Sequence, residues 1–466
     1  MRSPRAWRAA NGRVSMSATE TGRGSQPASV RARLTRYLEA SSPTVFCAFA
    51  GLAAFSTYFA MYAYRKAFAA ASFEHIPGWD FTLDYKSALV IAQTLGYAIS
   101  KLIGVRLIAE FGARRRATAI VGLIAVSWLA LVVFALVPRP WGVAAMFVNG
   151  LPLGLIWGLV FSYLEGRRTA EVVGAILCAS FILSSGVVKS VAGLLLANFH
   201  VDPFWAPAAT GALFFPVLLI SVMGLTVLPP PNAADIAERS PRSPMGRAER
   251  ADFVGRHWFA LVPLVIGYIL LTALRDFRDN FAAEIWHAFG YRDIAALFTA
   301  SELPVAVFTL AVIGALVPIR NNRLALGMIH GIIVLGAGLL GAATLAQAFG
   351  LINPLAWMIL SGAGLYMAYV PYSAVLFDRM IAFTRAPGNV GFLIYLADAS
   401  GYVGSVGLLL VRDFSTIHLD WLTFVRQTAY LTAVVCAVCA AISVSHFLRF
   451  GVGRDRRGPV RAPASA

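Results

Sequence analysis

Two adjacent cations interrupt the first long apolar run of the chain. In FSTYFAMYAYRKAFAAASF, Arg65 and Lys66 have apolar sequence on both sides. An arginine returns at the matching place in the second half. AYRKAFAAASF (63–73) aligns without gaps to DFRDNFAAEIW (276–286), which sets Arg65 against Arg278, Lys66 against Asp279 and Phe68 against Phe281. A guanidinium grips a phosphate or carboxylate through two parallel hydrogen bonds and keeps its charge at any working pH. An unpaired charge inside a membrane is costly, so by default it marks a functional site. Two arginines facing each other across a cavity would select anions. The competing reading of Arg65 is an outer-interface anchor that snorkels to the headgroups, since Val45 to Ala63 is nearly long enough to span. Against it, the apolar sequence resumes after Lys66 and runs to Phe73. Arginine at an outer interface also runs against the usual bias.

The neighbouring polar residues fall on helix faces. Tyr58, Tyr62 and Arg65 are spaced i, i+4, i+7; Gln93, Tyr97 and Lys101 are spaced i, i+4, i+8; Tyr395, Asp398 and Tyr402 are spaced i, i+3, i+7. Each set shares one face of an α-helix. A phenol offers an apolar body and a hydroxyl, which suits a small polyol bearing an anionic group. Glu302, beside Pro304, is a carboxylate inside an apolar segment and a candidate proton carrier, as is Asp398. The alternative for Glu302, Asp398 and Lys189 is a structural ion pair.

These residues need membrane helices to position them. Hydrophobic residues make up 58% of the 466-residue chain and charged residues only 13%, which excludes an ordinary soluble domain. A run of roughly 20 apolar residues spans a bilayer as a helix. The continuous runs here are helical, not the alternating pattern of barrel strands. About twelve spans are expected, near 44–71, 86–110, 117–137, 141–163, 172–197, 205–228, 257–281, 293–317, 324–346, 351–377, 388–411 and 426–449. The fold class is therefore an all-α integral membrane protein of two pseudo-symmetric six-helix bundles. Residues 1–42 read as a disordered basic tail, 43–228 as the first bundle, 229–256 as a linker, 257–450 as the second bundle and 451–466 as a basic tail. No cleavable signal is expected, and Met16 is as plausible a start as Met1. A second alignment, SSGVVKSVAGLLL (184–196) with ASGYVGSVGLLLV (399–411), and the basic loops GARRRA and PIRNNR fall at nearly the same offset, which supports two homologous halves.

The net charge of +16 could suggest nucleic acid, but it sits in tails and alternate loops, as the positive-inside rule requires. That places both termini and the linker in the cytoplasm, with a bacterial inner membrane as the expected location. The four cysteines lie in apolar runs and read as small buried side chains; no metal, cofactor or catalytic constellation is expected.

At these residues the chain resembles the organophosphate:phosphate antiporter branch of the major facilitator superfamily, which includes the glycerol-3-phosphate and hexose-phosphate transporters. YFAMYAYRK matches that branch's first-helix pattern at Tyr58, Tyr62, Arg65 and Lys66. YAISK matches its second-helix pattern at Tyr97, Ser100 and Lys101; Arg278 stands at its second substrate arginine, and GYVGS with Tyr402 matches its eleventh-helix stretch. The resemblance implies a phosphate gripped by Arg65 and Arg278 and carried by alternating access. Departures are a serine, Ser180, where the glycerol-phosphate member has a histidine, the uncounted Lys189, and the acidic Asp276 and Asp279 beside Arg278. Parts of the chain also resemble an uncharacterised bacterial subfamily of the superfamily.

The expected function is secondary active transport of a small organic anion, foremost a phosphorylated metabolite, by phosphate exchange or proton coupling. Arg65, Arg278, Lys101, Tyr58, Tyr62, Tyr97, Tyr402 and Tyr395 would line the site. Lys66 with Asp279 is an expected outer gate, and Glu165, Arg168, Asp378 and Arg379 are expected cytoplasmic gate residues. The alternatives are a non-transporting receptor for such an anion, and a transporter of a drug-like or amphiphilic solute whose arginines are closed off by carboxylates. A monomer is expected, with the bilayer and a small anion as its partners and no nucleic acid.

Overall fold

The computed structural model describes residues 30–110, 115–165, 167, 169–231, 235, 247–316, 318–319, 321–384, 390–415 and 419–454. Every regular element among them is helical. The first half comprises α1 (Val30–Ala40), α2 (Pro43–Met61), α3 (Ala63–Lys66), α4 (Tyr85–Glu110), α5 (Arg116–Leu136), α6 (Arg139–Phe161), α7 (Ala170–Ala197) and α8 (Ala206–Thr226). The second comprises α9 (Arg247–Asn280), α10 (Ala282–Ala288), α11 (Ala295–Leu316), α12 (Asn322–Ala348), α13 (Pro354–Pro371), α14 (Phe377–Thr384), α15 (Val390–Phe414) and α16 (Trp421–Arg454).

Ten helices among the described residues are long and apolar enough to cross a membrane. The two expected spans outside that set are α13 and α15. The helical path of α13 is split from α14 by a π-turn at Tyr372–Leu376, and α15 carries Asp398, Arg412 and Asp413. The first span does continue past its cations, but not as one uniform helix. α2 stops at Met61, α3 carries Arg65 and Lys66, and a 3₁₀ turn at Ala67–Ala70 completes the span. Side-chain amides bind the carbonyls at this change of geometry. Asn149 Nδ2 donates to the Tyr64 carbonyl (3.1 Å), and Gln93 Nε2 donates to the Arg65 carbonyl (3.1 Å) and to Asn149 Oδ1 (2.7 Å). Each bond satisfies a backbone group that the membrane interior would otherwise leave unpaired.

Two boundaries differ from expectation. Residues 30–40 of the expected unstructured tail form α1, because Arg31 Nη2 and Thr35 Oγ1 donate to the carbonyls of Thr226 and Val227 (3.0 and 2.9 Å). Those carbonyls sit at the C-terminal end of α8, where an α-helix has acceptors without internal partners. α9 begins at Arg247, inside the expected linker. Residues 1–29 and 455–466 lie outside the description.

The two halves meet at the end opposite the chain termini. The apolar core of the first half runs there without a break into Phe277, Phe281, Ile285 and Trp286 of the second. Within the first half, α6 presents Gly150 and Gly154 to α4, one helical turn apart. A Cβ on Gly150 would collide with the Gln93 carbonyl, and one on Gly154 would lie 2.5 Å from the Tyr97 carbonyl. Small residues at this spacing let membrane helices approach backbone to backbone. The contact fixes the height of Gln93 and Tyr97 against α6, and therefore the floor on which Arg65 rests.

Gly150→Leu is expected to cost at least about 1–3 kcal/mol, the usual range for overpacking, and to lower the melting temperature of purified protein. Gly122→Leu, at a position where a Cβ meets open space, is expected to leave it unchanged.

Candidate functional site

Among the described residues, a central cluster brings together seven cations, Arg65, Lys66, Lys86, Lys101, Lys189, Arg275 and Arg278, and five carboxylates, Asp276, Asp279, Glu284, Glu302 and Asp398. Four cations have a carboxylate each. Lys101 pairs with Asp398 (2.6 Å), Lys86 with Glu284 (2.6 Å), Arg275 with Asp276 (2.6 Å) and Arg278 with Glu302 (2.7 Å). Lys66 and Lys189 share Asp279, at 2.7 and 2.8 Å. Arg65 has none: among the described residues it is the buried interior cation without a carboxylate at ion-pair distance. The cluster carries two more positive charges than negative ones.

Arg65 is only 8% exposed. Its guanidinium lies 3.9 Å above the Tyr97 ring and 5.8 Å from the Tyr62 ring, and its Nε makes no hydrogen bond. A cation over an aromatic face gains about 2 kcal/mol when desolvated, well short of what a carboxylate would return. The surrounding tyrosines form one group. Tyr58 and Tyr97 hydroxyls are 3.4 Å apart, Tyr58 and Tyr62 meet edge to face at 5.6 Å, and Tyr97 meets Tyr402 at 5.7 Å. The structure thus brings Arg65, Tyr58, Tyr62, Tyr97 and Tyr402 together. The side chain of Tyr395 lies outside the description, as does Arg168.

Arg278 departs from the expected symmetric partnership. It is buried, and Nη1 and Nη2 are both engaged, by Glu302 and by the Met358 carbonyl (2.7 Å each), while its Nε, like that of Arg65, has no hydrogen-bond partner. Its guanidinium is wedged against Gly362, where an added Cβ would lie 2.7 Å from Nη2. Arg278 is therefore closed to an incoming anion as it stands, because α11 supplies a carboxylate that no residue of the first half supplies to Arg65. Glu302 is sealed in the same pair. Lys101 is likewise occupied: Asp398 accepts from it and from the Tyr268 hydroxyl (2.5 Å).

Lys66 and Asp279 meet across the halves, at the end opposite the termini. Asp279 also accepts from Lys189 and from the Ser185 hydroxyl, and Lys66 donates to Asn280 Oδ1 (2.7 Å). Lys86 and Glu284 add a second crossing at that end, with Lys86 also donating to the Ala69 carbonyl (3.1 Å). At the other end, Arg379 donates to Asn322 Oδ1 of its own half (3.1 Å) rather than across to the first half. Glu165 and Asp378 also lie at that end and have interactions of their own.

Sequence reasoning missed Lys86, Glu284 and Arg275. Lys86 sits at the entrance of a span, where a lysine reads as an interfacial cation. Its alternative signal was Glu284, a carboxylate at the same membrane depth in the other half.

Two outcomes follow from the pairing. Glu302→Gln strands Arg278 as a buried charge and is expected to destabilise the protein by about 3–5 kcal/mol, while Glu302→Leu combined with Arg278→Met recovers most of the loss in melting temperature. Exchanging the charges of Lys66 and Asp279 is expected not to restore what either single change loses, because the new lysine at 279 would face Lys189.

A D-xylose–proton symporter has the same fold, with a TM-score of 0.59 at 16% identity over 85% of this chain and 97% of that one. The nucleoside transporter NupG gives 0.57 at 15% over 85% and 98%, and a peptide transporter POT variant in complex with alafosfalin gives 0.59 at 15% over 91% and 99%. These likenesses establish the major facilitator fold. No curated protein sequence matches the chain significantly. A family profile described as a family of unknown function, DUF5690, matches residues 67–449, starting two residues after Arg65, and the chain belongs to that family.

Proposed function

We propose that the protein is a secondary transporter of a small organic anion, foremost a phosphorylated metabolite, and that Arg65 binds the anionic group. The observation that carries this reading is the charge pattern around Arg65. A buried guanidinium with an unpartnered Nε and no carboxylate lies on the face of Tyr97 within a cluster of tyrosines. In a low-dielectric interior such a charge is uncompensated until an anion arrives. The fold supports carriage rather than binding alone, since the D-xylose–proton symporter, NupG and POT are named as transporters.

The crossings Lys66–Asp279–Lys189 and Lys86–Glu284 act as the gate of one end. With both termini cytoplasmic by charge bias, that closed end is the outer one. Opening it separates Lys66 and Lys189 from Asp279. Of the two carboxylates marked for proton coupling, Asp398 is the reachable one, since its side chain keeps 14% exposure against 6% for Glu302. Arg278 serves the fold unless Glu302 releases it during the cycle.

Counterflow in proteoliposomes tests the reading, with phosphate inside and a labelled sugar phosphate outside. Hydrogen bonds to charged groups contribute about 1.5–3 kcal/mol, so Arg65→Gln is expected to lower uptake about 10- to 100-fold with little change in melting temperature. Uptake unaffected by Arg65→Gln would refute the assignment.

A further inference from the structure

The two lateral seams between the halves are unlike. The α7–α11 seam is shut by small residues. A Cβ on Gly186 would lie 2.7 Å from the Phe298 carbonyl, one on Gly193 would lie 3.2 Å from the Ala295 Cβ, and Ser190 and Thr299 hydroxyls meet at 2.6 Å. The α4–α15 seam leaves a cavity of about 440 Å³. Its outer walls are Leu95, Ile99, Leu102, Val403 and Leu410. Leu102 and Val403 are 60% and 73% exposed. These residues lie on membrane-spanning helices, so this side of the cavity opens toward lipid rather than water.

The surface of the cavity is almost entirely apolar, and three polar residues stand behind its inner wall. These are Lys101, Asp398 and Tyr402. The Tyr402 ring abuts Tyr97, and Tyr97 carries the Arg65 guanidinium on its face at 3.9 Å. Tyr402 in the wall of this laterally open cavity thus stands edge to face with the phenol that carries the interior cation lacking a counter-ion. A molecule with an apolar tail and an anionic head matches this pairing of an apolar cavity with a nearby unpaired cation, reached by displacing the two phenols.

Resting on the proposed anion site, we infer that the substrate is a single-chain anionic amphiphile, with its chain in the α4–α15 groove and its phosphate or carboxylate head at Arg65. One chain is specified by size, since about 440 Å³ is at the lower end of single-ligand cavities. The sign of the head is specified by Arg65, because Lys101 is already neutralised by Asp398. Entry is lateral, from the leaflet beside Val403, and the Lys101–Asp398 pair lies on the path of the head.

Gly407 lines the groove, and a Cβ there meets no atom within 4 Å. A large side chain at 407 thus fills the groove without disturbing a packed contact. The test uses full-length protein in proteoliposomes, wild type beside Gly407→Trp, Val403→Trp and Arg65→Gln. One readout is transbilayer movement of radiolabelled lysophosphatidate, followed by extraction with albumin. The other is the rise in melting temperature caused by inorganic phosphate, which reports the anion site alone. The expected result is movement by wild type, at least tenfold slower in all three variants, with phosphate stabilising wild type and both groove variants but not Arg65→Gln. Phosphate stabilisation without lysophosphatidate movement, or groove variants as fast as wild type, overturns the amphiphile and leaves the anion site standing. Absence of phosphate stabilisation in wild type refutes the anion site and the amphiphile with it.

Discussion

A charge inside a bilayer must be matched or used, and this constraint organises the whole interior of the protein. Among the described residues, the central cluster holds seven cations and five carboxylates to meet them. Four pairs are one to one, and one carboxylate, Asp279, serves two lysines. The pairs are also mechanical parts, because three of the five carboxylates bind a cation from the opposite half. Asp279 takes Lys66 and Lys189, Glu284 takes Lys86, and Asp398 takes Lys101. The halves are thus held together by charge at the places where an alternating-access carrier must come apart. Buried pairs of this kind cost desolvation on formation and are strongly destabilising when one partner is removed, which makes them bistable contacts rather than simple glue.

Arg65 is the point at which that scheme is left incomplete. The local structure around it is correspondingly elaborate. The span carrying it changes from α-helix to 3₁₀ turn just beyond the arginine, and Gln93 and Asn149 bind the carbonyls there. Close approach of α6 to α4 through Gly150 and Gly154 sets Gln93 and Tyr97 in position. Backbone irregularity is tolerated at membrane depth only where protein or a cavity surrounds it. Here it turns the guanidinium onto the face of Tyr97 rather than toward a carboxylate.

Much of this was legible in the chain. Helical spacing placed Tyr58, Tyr62 and Arg65 on one face, and the internal repeat marked Arg65 and Arg278 as equivalent. The repeat could not show that equivalence of position had become difference of role. Glu302 stands 24 positions from Arg278 on another helix, and which carboxylate an interior arginine meets depends on how α9 and α11 pack. Lys189, for which Asp398 was a candidate partner, pairs instead with Asp279 of the other half for the same reason. The lateral cavity was invisible in sequence, because it arises from side-chain volumes at Ala98, Val403 and Gly407 meeting across two helices. Helix α1 was hidden by composition: a basic, serine-rich stretch reads as tail until the carbonyls at the end of α8 are there to receive Arg31 and Thr35.

The most direct test of the account is to locate a bound anion. Diffraction from crystals of the protein soaked in selenate, recorded at the selenium edge on protein whose methionines are ordinary, would report its position independently of transport. The account places the anomalous peak within hydrogen-bond reach of the Arg65 guanidinium, beside the Tyr58 and Tyr97 hydroxyls. A peak against Arg278 with its Glu302 pair broken, or at Lys66 and Lys189 with Arg65 untouched, would contradict it.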